Sequence, residues 1–186
     1  MNRKHLEEIE GAILYDADRH VDDRGYFQEL FNANRLDSCW EFFPPFGTRQ
    51  INLSQSHANV VRGLHVAPYS KLVSCVRGRL FDVVVDVREN SPTKGRWYGV
   101  WLTDQNQKQL LVPRGCAHGF FSAEDCTTML YAQDGTYSPK EEYAINWRDP
   151  EFMIDWPEAV SYNLSSKDST APFWSEICRE RQNLMA

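Results

Sequence analysis

The chain has 186 residues, 42% hydrophobic and 13% aromatic, with a formal net charge of −6. Such a length and composition suit one globular domain with its own core, and the acidic balance argues against general binding to nucleic acid or to an anionic membrane surface. No apolar run approaches the roughly 20 residues of a membrane span, "MNRKHLEEIEGAILY" does not read as a signal peptide, and five dispersed cysteines without a CxxC pair suit reduced thiols in a cytoplasmic protein.

In chain order, residues 1–30 read as an N-terminal arm, and Ala33–Phe42 as a helix. From about residue 48 to 147 the pattern is one of short strands broken by turn signals. The stretch "VRGLHVAPYSKLVSCVRG" (Val61–Gly78) has the apolar content of sheet, with Arg62, His65 and Lys71 threaded through it. Lys71–Val76 is a strand closed by "RGR". Leu80–Val87 is β-branched and too short for a typical helix. "ENSPTKG" is a loop, Trp97–Leu102 a strand, "TDQNQ" a turn and Gln109–Val112 a strand ended by "PRG". His118–Ser122, Thr127–Ala132 and Tyr143–Trp147 complete the set. A tail follows, about 158–186, with a helix in "PFWSEICRERQNL". Short strands at this spacing predict an all-β fold, a jelly-roll barrel around a cavity with short flanking helices, as a single domain over 1–186.

Several polar residues need weighing. Taken singly, His65 and His118 are each more simply explained as hydrogen-bonded structural residues, and the acidic pair of "DDRGYFQELFN" (Asp22–Asn32) as a solvated turn. A metal site in a small β-barrel needs several converging ligands, often two histidines one residue apart on a strand. There is no HxH, so no metal is expected. A GxSxG elbow, a P-loop and a GxGxxG are also absent, and no cysteine stands in an obviously electropositive setting apart from Cys116, near Arg114. What remains is acid–base chemistry. A histidine oriented by a carboxylate can act as base near neutral pH, a lysine or arginine can stabilise an oxyanion, and a tyrosine can return a proton.

The motifs "DDRGYFQELFN", "VRGLH", "KLVSCVRGRLFDVVVDVRENSPTKGRW", "QLLVPRGCAHGFF", "LYAQDGTYSPKEE", "INWRDPEFMIDWP" and "LSSKDSTAP" occur in this order over about residues 10–172. Together they make the chain resemble the dTDP-4-dehydrorhamnose 3,5-epimerase family, nucleotide-sugar epimerases with a cupin-type jelly roll. The resemblance implies epimerisation at C3 and C5 of a nucleotide-linked 4-keto-6-deoxy sugar through an enolate, with no cofactor because the substrate ketone is the electron sink. By motif, His65 resembles the base, Asp168 in "SSKD" its carboxylate partner, Tyr131 the acid on the opposite face and Lys71 the cation beside the enolate oxygen. Arg62 and His118 match further pocket residues. Arg24, Phe27 and Glu29 match nucleotide-contacting positions, as do Gln50, Asn52, Glu142 and Lys167 other binding positions. In the family Arg24 and Glu29 can come from the neighbouring subunit, which implies a homodimer that exchanges N-terminal strands.

The chain departs from the pattern in three places. Between His65 and Lys71 stands only "VAPYS", without the usual aromatic-Gln pair and with Ser70 for a glycine. That shortening is expected to open or reshape the sugar pocket. Thr136 replaces the first of two aromatics, while Tyr137 keeps the second. Gln50-Ile51-Asn52 lacks a central aspartate. These departures leave room for a GDP-linked 4-keto heptose, for a single-centre epimerase or for a ketoisomerase. Readings from other classes are a metal-dependent cupin oxygenase and a catalytically silent sugar-nucleotide binder.

Overall fold

Antiparallel strands dominate the regular secondary structure of the computed structural model, which describes residues 2–32, 34 and 47–185. A six-stranded sheet runs in the order β1 (Asn2–His5), β2 (Ile13–Asp16), β10 (Lys108–Val112), β7 (Lys71–Arg77), β12 (Thr127–Gln133) and β5 (Gln50–Ser56). A five-stranded sheet runs β13 (Tyr143–Ala144), β6 (Val61–Val66), β11 (Ala117–Ser122), β8 (Arg79–Val85) and β9 (Trp97–Thr103). A separate hairpin pairs β3 (Arg19–Asp22) with β4 (Gly25–Gln28). Two helices lie in the tail, α1 (Ser166–Ser169) and α2 (Trp174–Met185). The architecture is the expected jelly roll.

Strand alternation decides what meets where. Val73 and Cys75 of β7, Leu110 and Val112 of β10 and Met129 of β12 point inward. They pack against Leu80 and Val84 of β8, Leu102 of β9 and Phe120 of β11, forming the core between the sheets. The alternate residues of the five-stranded sheet point outward. Leu64, Val66, Val83, Val85 and Ala117 are covered by Phe152 and by Trp174 and Ile177 of α2. Residues Trp174, Ile177, Cys178 and Arg181 recur at helical spacing, which gives α2 one face for the sheet. The Trp174 N–H donates to Asp149 and the Arg181 guanidinium lies 4.7 Å from the Tyr143 ring, tying both ends of that face down.

Some boundaries differ from the sequence reading. The expected strand Tyr143–Trp147 is only Tyr143–Ala144. Ile145 still exchanges backbone hydrogen bonds with Leu64, but the Asn146 N–H turns to the Pro172 carbonyl, and Trp147 leaves to join an aromatic cluster with Trp156 and Tyr162. The N-terminal arm is also less detached than expected. β1 and β2 pair with strands of their own chain, because Ile13 and Tyr15 on one face and Leu14 on the other are all buried there. Among the described strands, only the β3–β4 hairpin stands outside the two sheets. The helix expected over Ala33–Phe42 lies outside the described residues, Asn34 apart.

The loop "ENSPTKG" is organised by one buried carboxylate. Asp86 has no exposed surface and accepts hydrogen bonds from the Arg88 guanidinium, Ser91 and Thr93. Burial acts to raise its pKa, but these donors outweigh it and hold the carboxyl at about 2, below the ordinary 3.8. A depressed carboxylate contributes stability above its unfolded pKa and loses it as pH falls through the folded one. The contribution is about 2 kcal/mol at neutral pH. Asp86→Asn should lower unfolding free energy by about 3 kcal/mol at pH 7, since Arg88 is left half-buried without its partner. Denaturant melts should show the gap to the unsubstituted protein narrowing between pH 4 and pH 2.

Candidate active site

Polar residues interrupt the inner faces of both sheets, and they do so opposite one another. In the five-stranded sheet, Cα of His65 on β6 is paired with that of His118 on β11, so the two imidazoles lie side by side. Strict alternation would send Arg62 and His65, three residues apart, to opposite faces. The register of β6 against β11 shifts between His118 and Phe120, and both Arg62 and His65 line one cavity. Glycines at 63 and 119 permit this crossing. Gly63 has φ +120°, and a Cβ there would meet Gly119 Cα at 2.6 Å and the His118 carbonyl at 2.8 Å.

Lys71 on β7 and Tyr131 on β12 belong to the facing sheet. With Arg62, His65, His118 and Met129 they line a cavity of about 200 Å³. It continues into an outer cavity of about 430 Å³, lined by Gln50, Asn52, Tyr69, Gln133, Tyr137, Glu142 and Lys167 and again by His65, Lys71 and Tyr131. A third, about 400 Å³, shares Arg62, His65 and Lys167 and adds Asp168.

Two histidine–aspartate pairs stand in this site. His65 Nε2 donates to Asp168 Oδ1 at 2.6 Å, leaving Nδ1 as the nitrogen that can accept a proton. Asp168 is held by local structure: Ser165 caps α1 by accepting from the Asp168 N–H at 3.1 Å. Burial works to raise the Asp168 pKa, but hydrogen bonds from His65 and Ser165, the His65 charge and the Gly63 N–H together keep it below its ordinary value. The second pair, His118 Nε2 to Asp82 Oδ1 at 2.8 Å, is almost wholly buried. It orients His118 at the cavity floor.

Lys71 is 8% exposed, and among the described residues no carboxylate lies within ion-pair distance of its ammonium. Burial pulls its pKa down, opposed by the charges of Glu142 and Asp82. Tyr131 is pushed the other way: burial raises its phenol pKa, and the Glu142 charge adds to the rise. The site thus holds a phenol able to donate, an oriented imidazole able to accept, and a lysine without an ion-pair partner among the described residues.

Amides line the outer cavity as a chain. Gln50 donates to Asn52, Asn52 donates to Gln133, and the Gln50 carbonyl accepts from the Tyr137 N–H. Glu142 accepts from the Tyr69 hydroxyl. Tyr69 and Asp82 escaped the sequence reading; a tyrosine inside a five-residue loop next to a candidate base was the signal for the first. None of these three cavities is lined by Arg24, Phe27 or Glu29. Arg24 lies exposed beside Asp22 and Phe27 is 68% exposed, both on the β3–β4 hairpin, while Glu29 accepts from Asn32. Cys116 is no nucleophile, since burial pushes its thiol up to about 12.

The family model described as dTDP-4-dehydrorhamnose 3,5-epimerase matches residues 7–176. The chain belongs to that family. It is therefore an enzyme of the epimerase class. A dTDP-4-dehydrorhamnose 3,5-epimerase of Mycobacterium tuberculosis is 39% identical over 191 residues, covering 95% of this chain and 89% of the relative. The dTDP-4-dehydrorhamnose 3-epimerase of Streptomyces niveus is 38% identical over 90% of this chain and 82% of its own. Among solved structures, a dTDP-6-deoxy-D-glucose-3,5-epimerase of Legionella pneumophila in complex with dTDP-4-keto-L-rhamnose superposes with a TM-score of 0.90 at 35% identity, covering 96% of this chain and 95% of that one. Both family activities, at two centres and at one, therefore occur among relatives of similar identity.

Proposed function

We propose that this chain inverts C3 and C5 of a dTDP-linked 4-keto-6-deoxy sugar in deoxysugar biosynthesis. One observation carries the reading: the base and the acid stand on opposing sheets across one cavity, His65 on β6 and Tyr131 on β12. Epimerisation needs that arrangement, because a proton leaves one face of a carbon and another arrives on the opposite face. The C4 ketone acidifies the hydrogens on C3 and C5. His65 Nδ1 takes one as a proton, the C–H electron pair moves into the enolate, and Asp168 stabilises the imidazolium that forms. The Lys71 ammonium meets the enolate oxygen, where negative charge develops. Tyr131 then delivers its phenolic proton to the other face.

Arg62 and His118 orient the sugar from the cavity floor, and Gln50, Asn52, Glu142 and Lys167 hold the nucleotide side at the outer cavity. We assign Arg24, Phe27 and Glu29 to a neighbouring copy's site. The exposed Val21, Tyr26 and Phe27 of the β3–β4 hairpin, with Ile51 and Leu53 on edge strand β5, give a homodimer its apolar contact. Exchange then involves the hairpin, since β1 and β2 are already paired at home. Among the described residues the cysteines Cys75, Cys116, Cys126 and Cys178 are unpaired, which favours a cytoplasmic setting.

Incubation with dTDP-, GDP-, UDP- and CDP-linked 4-keto sugars in deuterated water, followed by mass and NMR, tests the reading. Deuterium should enter both C3 and C5 of the dTDP substrate. Exchange with none of the four would overturn the proposal, and exchange at C3 alone would make the chain a single-centre enzyme. Tyr131→Phe should retain exchange while losing inversion, because His65 can remove and return the proton on one face. Normal inversion by that variant would remove Tyr131 from the acid role.

A further inference from the structure

Tyr69 is the last aromatic before Lys71, in the short connection from β6 to β7, and it is 6% exposed. The loop is tied down on both sides of it. The Ser70 N–H donates to Asp134 at 2.8 Å and the Ser70 hydroxyl accepts from the Arg114 N–H at 3.2 Å. Gly135 makes room for the ring, since a Cβ there would lie 2.8 Å from Tyr69 Cβ and Cδ1. From this seat the ring centroid is 5.6 Å from the Lys71 ammonium, and the hydroxyl donates to Glu142.

We infer that Tyr69 is a positioning residue for the proposed reaction: its hydroxyl pins the Glu142 carboxylate at the cavity wall, and its ring backs the Lys71 ammonium. The inference rests on the epimerase reading for its purpose, not for its geometry. A buried ammonium without an ion-pair partner would otherwise deprotonate or swing away from the oxygen it must meet. The groups that face Lys71 are Glu142 before β13, Asp82 on β8, Lys167 on α1, His65 and Arg62 on β6, His118 on β11, and Tyr69 and Tyr131. Glu142 and Asp82 favour the charged ammonium and Lys167 opposes it. Glu142 also raises the Tyr131 pKa. One pinned carboxylate thus acts in the same sense on both proton-bearing groups, favouring the protonated form of each.

Two measurements test this. In protein labelled with [13C]lysine, the Lys71 Cε resonance, assigned by its loss in Lys71→Arg, is titrated without substrate. Its midpoint should move to lower pH in Glu142→Gln and, by less, in Tyr69→Phe, which keeps the ring and loses only the hydroxyl. In the exchange assay the alkaline limb should move the same way, with Tyr69→Phe losing kcat about threefold and Tyr69→Leu about tenfold or more, and KM in Tyr69→Phe changing little. A purely structural Tyr69 would lower the melting temperature and leave both pH dependences fixed; an unchanged Lys71 midpoint in Glu142→Gln and Tyr69→Phe overturns the inference. Because the titration needs no turnover, failure of the epimerase reading would show separately, as absence of exchange in the unsubstituted protein.

Discussion

His65→Asn will abolish deuterium incorporation at C3 and C5 together, with a loss of about 1,000-fold or more. A single base is expected to serve both carbons because, of the two aspartate-paired imidazoles, His65 is 30% exposed whereas His118 is only 7% exposed. Asparagine fills nearly the same volume and can still hydrogen-bond Asp168, so the melting temperature should stay within a few degrees. Asp168→Asn should cost less than His65→Asn, since the base survives and loses only its fixed tautomer and the countercharge to its imidazolium. Retained exchange at either carbon in His65→Asn would show a second base and displace the assignment.

Lys71→Met will separate catalysis from stability. The ammonium is worth most when an enolate oxygen carries charge beside it, so kcat should fall by about 100- to 1,000-fold. The folded protein, however, keeps this cation in a site that burial makes unfavourable and that contains no ion-pair partner among the described residues. Methionine has a similar length and no charge to desolvate. Lys71→Met should therefore raise unfolding free energy by about 1 kcal/mol or more at pH 7, read from denaturant melts. A variant that loses activity and stability together would mean that Lys71 is a structural residue.

His65, Lys71, Tyr131 and His118 were legible as candidates through the motifs that carry the family resemblance, while the apolar pattern around neighbours such as Val73 and Met129 showed only that they lie in sheet. Asp168 was legible only through "SSKD", and the structure explains the motif: Ser165 caps the short helix that aims Asp168 at His65. Other features were out of reach. The register shift at Gly63 and Gly119 cannot be read from alternation, because it breaks alternation. The short loop suggested an opened or reshaped pocket, but not that the Tyr69 ring would line it, seated against Gly135 sixty-six positions away. The N-terminal arm looked detachable because the resemblance implies exchange with a neighbouring subunit; the pairing of β2 with β10 depends on a partner far along the chain.

The distance in sequence between His65 and Asp168, 103 positions, has a consequence for how the enzyme comes into being. Every strand of both sheets precedes Asp168, so during synthesis the barrel can close while its base is still untethered. The contact that orients the imidazole forms only after all of those strands have been made. A nascent chain stalled before α1 is therefore expected to present a walled cavity that does not yet hold its base in working order.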